Sequence, residues 1–208
     1  MASGSSSNNP TAATTAVFHI AILDTNQKPP KKLISASNLS SFSFFTKGKV
    51  EEFMHFTSST IAERTQSGVR QSVASESYMV HAYTRPEGCT GIIITNAEYP
   101  RRIPHELLNK LLDEFVTKYP RDTWKGDISL PQLNDYLEKY QNPAQADNIS
   151  KIQKELDETK IVLHKTIESV LERGENLNNL VQKSDNLSSA SKMFYTNAKK
   201  QNSCCVVM

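Results

Sequence analysis

Apolar residues follow two rhythms along the first two-thirds of the chain. "AVFHIAIL" (16–23) is short, continuous and β-branched, which predicts a buried strand. "KLISASN" (32–38) alternates, and the turn residues of "TNQKPPK" between them predict a hairpin. "VEEFMHFTSSTIAERT" (50–65) sets Val50, Phe53, Met54, Phe56 and Ile61 near helical spacing, with Gly68 suited to end a helix. Three further strands are predicted in "VRQSVAS" (69–75), "YMVHAYTR" (78–85) and "GCTGIIITNA" (88–97), the last two joined by the turn "RPEG". Helices follow at 105–119, with Leu107, Leu108, Leu111, Leu112 and Phe115 on one broad face, and at 130–140. The order ββαβββαα predicts an α+β domain, a five-stranded antiparallel sheet with flanking helices, over residues 16–140. Residues 1–15 read as a disordered extension and 141–147 as a linker.

The rhythm changes at Ile149. Apolar and small residues then step by three and four alternately through Ile149, Ile152, Leu156, Thr159, Leu163, Thr166, Val170, Arg173, Leu177, Leu180, Ser184, Leu187, Ser191, Phe194 and Ala198. Such a seam over 148–201 predicts one coiled-coil helix of roughly 75 Å, too long for one small domain to cover. Arg173 stands at its centre. A solvated arginine with its stem along the helix is one reading. The other is a buried guanidinium whose donors are met by amide oxygens of facing helices, a layer that selects register and partner more than it stabilises. Gly174, unfavourable inside a helix by about 1 kcal/mol, fits a helix completed by its partners. Ser184, Ser191 and Ala198 would leave voids in a two-stranded coil but not across a four-helix bundle.

Charge and composition narrow the chemistry. A net charge of +2 argues against a nucleic-acid binder. No apolar run is long enough to span a bilayer, and the N-terminus has neither a signal peptide's basic region nor its apolar core, so a cytosolic location is expected. No glycine-rich phosphate loop occurs, and His19, His55, His81 and His105 lack metal-ligand spacing. Neither an enzyme nor a bound cofactor is expected. Cys89 reads as a packed strand cysteine.

The tail, 202–208, carries the remaining chemistry. Cys205-Val206-Val207-Met208 fits a prenylation box, and a terminal Met favours farnesyl. Processing would remove Val206, Val207 and Met208 and methylate Cys205. One chain anchors only marginally, so Cys204 is the expected second site.

These features together resemble a known family. The central Arg173 followed by Leu177, Leu180 and Phe194, with "SSFSFF", "VEEFM", "ELDETKIVLHKTIESVLERGE" and "KQNSCC", is similar to the lipid-anchored R-SNAREs of the YKT type, in the synaptobrevin-like SNARE family. The resemblance covers residues 16–208; the polar residues before the first strand depart from it. It implies an N-terminal longin (profilin-like) domain and a C-terminal SNARE coiled-coil helix. That helix would zipper with three Q-SNARE helices (Qa, Qb, Qc) to dock and fuse vesicles, with Arg173 in the central layer. It also implies lipid-modifying enzymes as partners, palmitate or a second prenyl group on Cys204, and a cytosolic pool exchanging with Golgi, endosomal and vacuolar or lysosomal membranes. A non-fusogenic longin-type tethering or regulatory module is the competing function. Before assembly, the seam and the lipid need cover, which the longin surface could supply. Phe42 is the candidate contact, against a reading in which it is core; if "SSFSFF" is a strand, Phe44 and Phe45 point opposite ways. Phosphorylation of Ser184 or Ser191 would put negative charge into the seam.

Overall fold

The structure is a computed structural model describing residues 16–75, 78–125, 128–150 and 161–203. Six strands form one sheet: β1 (Val17–Asp24), β2 (Lys31–Ser37), β3 (Arg70–Ala74), β4 (Tyr78–Thr84), β5 (Cys89–Asn96) and β6 (Ile161–His164), in the order β2-β1-β5-β4-β3-β6. The first five pair antiparallel, as their alternation and short turns predict. β6 is new. It comes from the heptad segment and runs parallel to β3, with Ser72 opposite Leu163.

Helices cover both faces. α1 (Phe44–Glu63) lies on one; α2 (Arg102–Lys118) and α3 (Gln132–Lys139) lie on the other. β5 serves both cores, Cys89 and Ile93 facing α2 while Ile92 and Ile94 face α1, which explains its uninterrupted apolar run. Gly91 is required there, since a Cβ would stand 2.7 Å from a Leu108 methyl. The burial of Leu107, Leu108, Leu111, Leu112 and Phe115 matches the face predicted for α2.

Three expectations need correction. The sheet has six strands, the sixth supplied by the segment expected to be all coiled coil. "SSFSFF" is no strand: Phe44 and Phe45 open α1, and both are 85% exposed. The continuous helix is also absent among the described residues. After β6 come a 3-10 turn (Ile167–Val170), α5 (Leu177–Lys183) and α6 (Ser189–Ser203). Within 141–147, α4 (Pro143–Ser150) begins, Ala146 is fully buried, and the Gln141 side chain bonds the backbone of Val17 at 2.7 Å.

Candidate functional site

Residues 161–203 fold back over α1 and the outer edge of the sheet. The strand β6 gains a partner in β3, and the chain then buries Ile167, Leu177, Val181 and Leu187 in the core beneath α1. On α5, Leu177 and Val181 are four residues apart and share one face. Asn176 caps that helix by accepting from the Asn179 amide at 2.8 Å. On α6, Tyr195 stacks on Phe53 of α1, ring centroids 5.3 Å apart.

Two carboxylates fasten the segment. Glu52 on α1 accepts from the Ser188 amide at 2.9 Å, and this bond, with the neighbouring Ser191 and Ser188 hydroxyls, lowers its pKa. Glu175 accepts from Arg64 at the end of α1 at 2.7 Å and from the Glu172 amide at 3.0 Å, and these bonds, the Arg64 one foremost, lower its pKa too. Between Glu172 and Glu175 the chain makes a tight turn, closed by a 2.9 Å amide-to-carbonyl bond, with Gly174 at φ +90°. The glycine that weakens a helix is what this turn needs.

The predicted seam is divided by this arrangement. Leu177, Leu187 and Ser191 are buried, and Val170, Leu180, Ser184 and Phe194 are half-buried. Leu163, Thr166, Arg173 and Ala198 are exposed. Arg173 therefore projects from the Gly174 turn into solvent instead of lying on a buried line. Ile152, Leu156 and Thr159, the Ile149 side chain, and Cys204 through Met208 lie outside the described residues. Phe42 is half-buried and packs on the α1-side core, with its ring 6.1 Å from Phe18.

Sequence reasoning missed Ile167 and Val181, which stand one residue off the heptad seam yet bury fully here. An apolar residue beside an already apolar seam was the available signal of a second docking face. It also missed Phe53 and Glu52 as receivers, because α1 read as an ordinary amphipathic helix.

A model described as a Regulated-SNARE-like domain matches residues 39–159, and one described as Synaptobrevin matches 148–206. The chain belongs to the longin-type synaptobrevin family. It is 54% identical to the synaptobrevin homolog ykt6 of Schizosaccharomyces pombe, over 92% of this chain and 98% of that one. The YKT6 homologs of Debaryomyces hansenii and Saccharomyces cerevisiae are 50% and 47% identical, each over 92% of this chain and 99% of theirs. With membership goes a SNARE role in vesicle trafficking. The longin domain is the receiving surface just described, and the segment folded over it is the SNARE motif.

Other chemistry in this SNARE is internal. Cys89 is fully buried, and desolvation pushes its thiol up to about 12, so it packs and does not react. The histidines that stand apart in sequence pair in space: Ser72 Oγ bridges His81 Nδ1 (2.9 Å) and His105 Nε2 (2.8 Å), while His19 and His55 meet edge to face. Among the described residues no cluster of metal-ligating side chains forms, and no helix is long and apolar enough to cross a membrane. A cavity of about 490 Å³ opens between longin and SNARE motif, walled by Phe53, Tyr78, Leu177, Phe194, Tyr195 and Ala198.

Proposed function

We propose that this chain is an R-SNARE held closed by its own longin domain until three Q-SNARE helices (Qa, Qb and Qc) replace that domain as the partner of the SNARE motif. One observation carries the reading. Leu177, Leu187 and Ser191 belong to the heptad seam and are buried against the α1-side core or its helix, so they cannot face a bundle at the same time. Closure and assembly exclude each other. In the assembled bundle Arg173 would enter the central layer, its donors met by glutamine oxygens.

The reading extends to the membrane. Cys205 takes a farnesyl chain and Cys204 a palmitoyl or second prenyl chain, giving the two signals that stable anchoring needs. The cavity beside α6 has the apolar walls and size of a small-ligand site, and Lys199 on its rim is five residues from Cys204. It suits the prenyl chain of the closed, cytosolic form. Opening would free both lipid and seam together, at Golgi, endosomal, vacuolar or lysosomal membranes.

Reconstitution tests this directly. The lipidated chain in one liposome population should drive lipid mixing with liposomes bearing the cognate Q-SNARE helices. Stable binding to longin-recognising trafficking factors without lipid mixing would favour a regulatory or tethering module instead.

A further inference from the structure

The first turn of α1 is assembled against the usual rules. Phe44 and Phe45, both 85% exposed, contact each other edge to face at 5.8 Å. They are the two most exposed large apolar side chains among the described residues. No acidic residue occupies this turn, and the N-cap residue Ser43 makes no side-chain capping bond. Lys47 and Lys49 follow, placing cations near the positive end of the helix dipole, where they are unfavourable. Aromatic exposure and misplaced cations both work against the isolated fold. Both favour the interface of an anionic bilayer, where aromatic rings lie at headgroup depth and each lysine gains on the order of 1 kcal/mol.

The tail supports the same occupant. Lys49 Nζ lies 6.0 Å from the centre of the Phe194 ring on α6, so this end of α1 borders the helix Ser189–Ser203, which Cys204 and Cys205 follow in the sequence. On the same helix the exposed Glu51 opposes contact, and so does Glu52, which the bond from the Ser188 amide keeps ionised. We propose that Phe44 and Phe45, with Lys47 and Lys49, form a face of the longin domain that docks on an anionic bilayer without help from the lipidated tail.

The full-length chain produced without lipid groups tests this by co-sedimentation with phosphatidylcholine vesicles, with and without phosphatidylserine. Wild type should sediment with the anionic vesicles and release as salt rises. F44S/F45S should reduce binding about five-fold without changing the melting temperature, because neither ring is in the core. K47Q/K49Q, which leaves the rings in place, should abolish the preference for phosphatidylserine. The proposal is overturned if wild type ignores anionic vesicles, which would leave the pair to a protein partner. Wild-type binding by both variants would overturn it equally.

Discussion

Arg64 Nη2 donates to Glu175 Oε2 at 2.7 Å, tying the end of the first helix to the turn that exposes Arg173. Gly174 makes that turn at φ +90°, a conformation costing an alanine about 1–2 kcal/mol. The same replacement gains about 1 kcal/mol in a continuous helix. Both effects disfavour the closed form, so Gly174→Ala should shift the balance toward the open helix by roughly 2–3 kcal/mol. Association with Q-SNARE helices should accelerate ten-fold or more, and Glu175→Gln should act in the same direction but less. Unchanged association rates in both variants would show that this turn does not hold the motif.

The stacked pair Phe53–Tyr195 and the Phe42–Phe18 pair lie on the same face of the sheet but do different work. Phe53→Ala removes a direct contact with α6 and should raise hydrogen exchange there while sparing α2. Phe42→Glu should leave the longin fold standing and move the lipidated chain from cytosol to membrane. Loss of the fold itself in that variant would assign Phe42 to the core.

Ser191 is only 2% exposed and its hydroxyl helps to lower the pKa of neighbouring Glu52, so a phosphate there would face a carboxylate at close range. Modification requires the open motif and then prevents closure. Ser191→Asp should therefore remove protection from exchange across α6, whereas Ser191→Ala should retain most of it. If Asp and Ala behave alike, charge is irrelevant at this site.

The sheet and α2 were legible in the chain because alternation and helical spacing report burial within one domain. The folded-back motif was not. Its heptads describe a helix shared with other chains, while Ile167, Val181 and Gly174 describe a docked conformation written over the same residues. One periodicity conceals the other, since Leu177 and Leu187 serve both. Nor does spacing reveal the Ser72–His81–His105 bridge, whose members come from two strands and a helix.

Acid should weaken the longin domain before carboxylates titrate. Burial holds His19 and His105 at a pKa of about 3, and nearby cations push the same way: His55 and Lys32 for His19, Arg70 for His105. His81 is lowered well below its ordinary value by burial, His105 and Arg101. In the unfolded chain these imidazoles titrate near 6.5. Below that pH the unfolded state takes up protons that the fold refuses, so stability is complete above about pH 6.5 and declines toward pH 3. At pH 5.5 His19 and His105 each cost roughly 1.4 kcal/mol. Melting should fall by several degrees between pH 7.5 and 5.5; an unchanged melting temperature would contradict their neutral burial.

Arg173 separates the two lives of the motif. It is exposed in the closed form, so Arg173→Ala should leave melting, α6 protection and cytosolic retention as they are. In a Q-SNARE bundle the guanidinium would instead be enclosed, and its loss would leave three glutamine oxygens without their donor, at about 1–3 kcal/mol for each unsatisfied group. Partner discrimination should then fall, because a register shifted by one heptad no longer meets an unpaired charge. Competition between cognate and non-cognate Q-SNARE helices reads this out. Unchanged partner choice and register in the variant would place Arg173 outside the central layer, whereas relaxed choice with closure intact would confine its role to assembly.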